Sequence, residues 1–482
     1  MTEAPTKVSF IASDPNTTKL AVIAELLGVD HELITTIPVQ ASCIVLRGRD
    51  FDAFKADLSR AAHFVLVYDI ESSLQLAAEL RPFPHSPSKL NVTRTLSLVT
   101  GALSGLSIPG RGELIAFREA RGYEPLIEAD SHSVFMTNGR LFITSATGIP
   151  DLNSAAQPGH EPFRELFAEL FPFLMFLRHA LPDRCWRLAE HCATMVIDDP
   201  LLRRRYGCIE FDSFLDELKS NNLAATFAFI PWNRARTDPK VAGVFRNNSD
   251  RLSICVHGCD HTGGEFAETD PARLDAMLAT ALARMRQHEA DHRLPFDPIM
   301  VFPQGKFSRE ALDALARTSF TAAVNTSAFP VNYKGDLRMR DLLDLAPAYP
   351  TGIPVWRRRY PVDTFDFACD LFLQRPVIIV QHHQDFAAGF TPLLSFIEQL
   401  RAIKPDIKWK PLGQVLVSSL WQRVNAAGET ATRTMLRNPK DGYAASQRQY
   451  TARDSAAIAS RRYLSEFRDA WVYRKSALIG RK

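Results

Sequence analysis

Two histidines four residues apart, His257 and His261, follow a short apolar run in the stretch RLSICVHGCDHTGGEF. Two adjacent carboxylates, Asp198 and Asp199, close the run ATMVI, and Gln381, His382 and His383 close VIIV. Imidazole and carboxylate together suit a divalent ion such as Zn²⁺, Co²⁺, Ni²⁺ or Fe²⁺, and two imidazoles with one carboxylate leave positions open for water and substrate. Adjacent aspartates cannot both point easily at one ion, so one can bind it while its neighbour takes a proton. His382, arriving from the other side, could protonate a leaving group. Rival readings exist for each piece. An Asp-Asp pair after a strand also caps a following helix, and a His-His pair can be structural. Cys255, His257, Cys259 and His261 alternate as a four-ligand cluster would. Structural zinc sites, however, usually separate two ligand pairs by about 12 residues or more. The cysteines are therefore expected near the site without ligating.

Side chains so far apart in sequence need a scaffold that gathers them. Each motif follows a short apolar run rich in β-branched residues, as a strand buried on both faces requires. A fourth run, IMVF, ends in Pro303-Gln304-Gly305. Helix-like segments such as FDSFLDELKSNN and SREALDALART lie between them. A parallel βα barrel brings every strand's C-terminal end to one face. An α/β fold is thus expected, with a parallel βα barrel over residues 191–422. Residues 1–150 alternate strand-like and helix-like runs and predict a small, Rossmann-like α/β domain with a mainly parallel sheet. Its Gly-rich stretch, VTGALSGLSIPGRGEL, lacks the strand–turn–helix context of a nucleotide site, and no chemistry is assigned to this domain. GIPDLNSAAQPGHEP marks a boundary, and residues 151–190 are expected to form a helical connector. Its most apolar window, FAELFPFLMFLRHALP, carries Glu169, Pro172 and Arg178 and falls short of the roughly 20 apolar residues of a membrane span.

The 482 residues exceed one ordinary core, so two or three domains are expected. With 46% hydrophobic and 23% charged residues the composition is that of a soluble globular protein. A formal charge of +3 argues against a dedicated nucleic-acid binder. The opening MTEAPTKVSFIASDPN has no basic region followed by an apolar one, and the 7 cysteines are scattered and odd in number. Both observations predict a cytoplasmic protein with reduced thiols. Residues 423–482 carry 13 Lys/Arg against 5 Asp/Glu and predict a basic helical tail. Leu464, Phe467 and Trp471 share one helical face, with Arg461, Arg462, Arg468 and Arg474 around them. Such a tail either packs on the barrel or meets an anionic membrane surface or a synthase partner.

Taken in order, residues 192–390 resemble the polysaccharide deacetylase (NodB-type) superfamily, carbohydrate esterase family 4. MVIDDP resembles the family's Thr-Phe-Asp-Asp-Gly motif, and FLDELKSNNLAATFAFIPW its following helix and strand. HGCDH resembles His-(Ser/Thr)-x-x-His, VFPQG part of Arg-x-Pro-x-Gly, and VQH the Leu-x-His motif. The resemblance implies a metal-dependent hydrolase that removes N-acetyl groups from a sugar, a glycan precursor or a nucleotide sugar in bacterial surface-polysaccharide synthesis. It implies a distorted (β/α) barrel and one divalent ion, zinc first with cobalt or nickel as alternatives, held by Asp199, His257 and His261. Asp198 would be the general base and His382 the general acid. Arg204, Tyr206, Pro303 and Gly305 would line the substrate. Four positions depart from the family, among them Pro200, which stands where its motif has Gly. Val301 stands where its Arg would be, with Lys306 or Arg309 as replacements. Gly258 stands for Ser/Thr, and Asn325 occupies the place of the Asp that tunes the acid histidine, a role Asp385 could take. The basic loop Arg203–Arg205 faces either an anionic sugar or solvent. These departures leave a weakened glycan-binding or assembly protein as a second reading. The two-His, one-carboxylate set leaves a non-haem iron oxygenase as a third.

Overall fold

A computed structural model describes residues 5–437 and 451–464, apart from 41, 61, 62, 207, 426 and 462. The N-terminal sheet has 11 strands. Five of them, β1 (Val8–Ile11), β2 (His31–Ile34), β3 (Cys43–Arg47), β4 (Phe64–Tyr68) and β5 (Leu141–Thr144), run parallel in the order β2-β1-β3-β4-β5. The others pair antiparallel, so the sheet is mixed and the expected mainly parallel sheet is corrected. The cause is local. Glu124–Ala129 and His132–Thr137 are joined through Asp130 at φ 51°, and Thr137 returns to β5 through Gly139 at φ 99°. Connections this short allow only a hairpin, since a parallel crossover needs about a dozen residues.

Helix α1 (Phe167–Ala180) is apolar on nearly every face, which is the pattern of a helix buried all round. Phe173 and Phe176 meet Tyr68 and Phe142 of the N-terminal sheet at ring-centroid distances of 5.8 and 5.2 Å. On its other side Phe167 and Phe171 meet Phe365 and Phe372 at 5.6 and 5.8 Å. The most apolar window of the chain is therefore a wedge between two sheets. Among the described residues, no helix is long and apolar enough to cross a membrane.

The second sheet is the barrel. Its wall consists of β6 (Cys192–Asp198), β7 (Ala225–Phe229), β8 (Leu252–His257), β9 (Asp297–Val301), β10 (Ala322–Asn325), β11 (Val355–Arg357) and β12 (Val377–His382). All pair parallel, in the order β11-β10-β9-β8-β7-β6-β12. The seam between β11 and β12 is drawn together by Arg359, whose N–H donates to the Ile378 carbonyl and whose carbonyl accepts from Val380, both at 2.9 Å. The barrel is nearly closed. Val196, Ala228, Cys255, Val301, Val324, Trp356 and Ile378 fill its interior. The outward faces pack against helices such as α2 (Phe211–Ser220), where Phe214 meets Phe227 at 5.5 Å. Parallel pairing puts Asp198, His257, Val301, Asn325, Arg357 and His382 at the same end of the wall.

The stretch expected to open the helical tail is instead a hairpin. Trp421–Val424 pairs antiparallel with Thr430–Arg433 and with Arg187–Leu188. Alternating side chains around the buried Trp421 favour a strand, and the turn closes through the Asn425 N–H on the Glu429 carbonyl at 2.8 Å. Residues 452–461 are helical. Arg462, Phe467, Arg468, Trp471 and Arg474, and with them most of the expected apolar face, lie outside the described residues.

Candidate metal centre

The last residue of β6, Asp198, points into the barrel, and the next, Asp199, has φ 70°. That backbone reversal sends neighbouring carboxylates to different partners, which an extended continuation of β6 would not. Asp199 Oδ1 lies 2.9 Å from His261 Nε2 and 3.4 Å from His257 Nε2. One donor atom from each of the three falls within 4.8 Å of the others. Tetrahedral ligands at 2.0–2.2 Å from an ion sit roughly 3.4 Å apart, so the set fits a divalent cation. Asp199 Oδ1 is buried without a well-aligned hydrogen bond, as suits an atom placed for an ion. Burial opposes its ionisation, but the two imidazoles hold its carboxyl well below the usual range. His257 Nδ1 donates to the Val301 carbonyl at 2.9 Å, which fixes the ring and leaves Nε2 for the site. Val301, where an arginine was expected, thus contributes its backbone.

His261 stands on a loop shaped by a buried carboxylate. Glu265 accepts the backbone N–H groups of Cys259, Asp260 and His261 at 2.7, 3.1 and 3.2 Å. Gly258 sits beneath it at φ 66°, where a Cβ would fall 2.2 Å from Glu265 Oε1 and 2.5 Å from Pro303 Cγ. Only glycine fits, and that is why Ser/Thr is absent from this position. Asp260 is fully buried on Arg284 at 2.6 Å. Cys255 and Cys259 are buried and form no disulfide among the described residues, Arg284 Nη1 lies 3.4 Å from Cys259 Sγ, and burial pushes the Cys255 thiol well up. Neither belongs to the ligand group.

Asp198 is gripped by Arg358, Nη1 to Oδ1 at 2.5 Å and Nη2 to Oδ2 at 2.7 Å. Burial disfavours the carboxylate, but Arg358 and then His257 outweigh it and keep Asp198 ionised. Arg358 therefore stands beside Asp198, where Lys306 or Arg309 was expected. Arg309 is instead paired with Asp336 at 2.9 Å, and the Lys306 side chain lies toward Gly264. A fork of this kind suits a carboxylate as a lysine would not. The sequence signal was VWRRRYP, three arginines closing an apolar run.

Across the mouth, His382 Nε2 lies 3.8 Å from Asp198 Oδ2, a consequence of the direct β6–β12 register of Asp198 with His382. The ring accepts the backbone N–H of Asp385, while the Asp385 carboxylate accepts the His382 N–H at 2.7 Å. Nδ1 lies on that side, and Nε2 faces the mouth. Asp385 thus orients His382 as a cap, its carboxylate 4.0 Å from Nδ1. Tyr360 stacks on His382 with centroids 6.3 Å apart. Asn325 has a different task from a tuning Asp: its Nδ2 donates to the Gly305 and Ser327 carbonyls, both at 3.0 Å.

The expected substrate residues divide. Pro303 and Gly305 form the loop after β9, and Pro303 packs under Gly258 beside the metal loop. Arg204 is exposed, on a short hairpin, and lies 3.5 Å from Glu210 and 3.9 Å from Asp212. The backbone of Tyr206 pairs with Ile209, and its side chain lies outside the described residues.

No protein-family model and no curated protein matches the chain. Solved carbohydrate deacetylases and family 4 esterases are among its structural matches. Agd3, described as a novel carbohydrate deacetylase, is 10% identical at a TM-score of 0.47, covering 79% of each chain. A family 4 carbohydrate esterase from Streptomyces lividans, in complex with acetate, is 14% identical at 0.29, over 46% of this chain and 92% of that one. A family 4 acetyl xylan esterase from Clostridium thermocellum, in complex with a cobalt ion, is 15% identical at 0.28, over 47% and 90%.

Proposed function

We propose that this protein is a divalent-metal-dependent hydrolase that removes N-acetyl groups from a sugar, a glycan precursor or a nucleotide sugar. The observation that carries the reading is an ionised, arginine-clamped Asp198 set between a His/Asp ligand trio and a histidine N–H. Asp199, His257 and His261 would hold the ion, with zinc the first choice for two imidazoles and one carboxylate. When bound, the ion polarises the acetyl carbonyl and acidifies water.

Asp198 takes the proton as water oxygen bonds to the acetyl carbon, and Arg358 keeps its carboxylate aimed at that position. His382 presents Nε2–H to the nitrogen of the breaking C–N bond. Asp198 then returns its proton to His382, and the acetic acid formed loses its own proton to the freed amine, so the products are acetate and the protonated amine. The missing arginine at position 301 and the missing aspartate at 325 favour a binding-only protein, and Arg358 weighs against it on the first count. An oxygenase has no use for a clamped second carboxylate and a facing histidine.

Asp198→Asn tests the assignment. It should leave bound metal unchanged and lower acetate release by about 10²–10⁴-fold, the usual contribution of a positioned general base. Undiminished release at unchanged metal content would show that the base is another group.

A further inference from the structure

Beside the candidate metal centre a cavity of ≈ 230 Å³ opens between the end of β11 and the helix α3 (Phe365–Phe372). Arg357, Arg358, Arg359 and Tyr360 form one wall, with Asp363 and Asp366 opposite. Its charges are matched with one exception. Arg358 holds Asp198, and Arg359 holds Asp370 at 2.6 Å. Asp363 and Asp366 face Arg164 at 2.9 and 3.5 Å.

Arg357 has no such partner. Among the described residues no carboxylate lies within 4.0 Å of it, it donates no hydrogen bond, and its Nε is buried. Burial, then Arg359, lowers its guanidinium to about 10, with Glu161 and Asp370 acting from a distance in the other direction. It remains charged at neutral pH. The residue is half-buried, and a guanidinium whose Nε is cut off from water and from any acceptor gains from an anion that completes it. Its planar fork matches a carboxylate or a phosphate. The cavity is smaller than the roughly 300–1,000 Å³ of a typical ligand pocket, so it suits one sugar substituent rather than a whole oligosaccharide. Tyr360 joins its wall and stacks on His382, so an occupant would sit next to the reacting end of the mouth.

We infer that this cavity is an anion subsite in which Arg357 receives a carboxylate or phosphate carried by the N-acetylated sugar. The substrate is then an acidic or phosphorylated amino sugar, and charge selection lies with Arg357 rather than with the exposed Arg204. The N-acetyl part of this statement rests on the proposed deacetylase reading. The anion subsite does not.

The test is calorimetric binding to the full-length, zinc-loaded protein and to Arg357→Gln. Three probes serve: N-acetylglucosamine, N-acetylmuramic acid with its added carboxylate, and N-acetylglucosamine 6-phosphate. One charged sugar should bind the wild type about tenfold or more tightly than the neutral one, and which of the two does so identifies the anion. Arg357→Gln should abolish that difference while keeping zinc content, melting temperature and affinity for the neutral sugar. Arg357→Lys should keep part of it. The subsite is overturned if the wild type does not discriminate among the three, including by binding none, or if the preference survives in Arg357→Gln. Acetate release, measured separately, tells the two readings apart. A preference for the charged sugar in a protein that releases no acetate leaves the subsite standing and removes the deacetylase. Release without preference does the reverse.

Discussion

At the scale of single residues, the site depends on which carboxylate each cation holds. Arg358 and Asp198 are both buried, so each needs the other. Removing one partner of such a pair typically costs about 3–5 kcal/mol because a charge is left buried and unpaired. Arg358→Met should therefore lower the melting temperature sharply. Arg358→Lys keeps the charge but loses the two-pronged geometry. It should retain bound metal and KM and lower kcat by as much as about 10²-fold, the effect of a misplaced catalytic group. A kcat equal to wild type in Arg358→Lys would mean that the fork does not position the base. Asp198, Asp199, His257, His261 and His382 were legible from sequence because each is the residue at, or just after, the end of a readable strand. Arg358 was hidden because it reaches Asp198 past the β11–β12 seam from 160 positions away in sequence, and no local pattern encodes that contact. Glu265 was hidden because its work is done on backbone N–H groups, which leave no mark on residue type.

At the scale of elements, the loop from β8 carries the strictest constraint. Gly258 has both a positive φ and no space for a Cβ, whereas Gly263 has φ 86° with its nearest neighbour 3.6 Å away. Gly258→Ala should lose more stability than the ~1–2 kcal/mol of left-handed backbone strain, and metal affinity with it. Gly263→Ala should lose only the strain. Chemical unfolding and zinc titration of the two variants check this, and equal losses would mean that the Glu265–Pro303 enclosure is loose. The same contrast explains what could be read in advance. Strand runs of β-branched residues announced the barrel wall. The hairpins of the N-terminal sheet and at Trp421–Arg433 were missed because helix-like and strand-like rhythms were weighed above two- to five-residue turns.

At the scale of the whole molecule, two sheets share α1 as a common wedge, and the barrel's nearly closed wall delivers its chemistry to one mouth. The likeness of five short motifs to family 4 esterases located the site along the chain. The supporting groups could not be transferred from it, since here they come from other strands. The central claim is that Asp199, His257 and His261 hold one divalent ion and that hydrolysis of an N-acetyl group depends on it. Acetate release from an N-acetylated amino sugar, measured with metal content before chelation, after it, and after return of zinc or cobalt, tests this most directly. The account predicts one ion per chain, loss of both ion and acetate release on chelation, and recovery of both together. Undiminished acetate release from the fully chelated protein would contradict it.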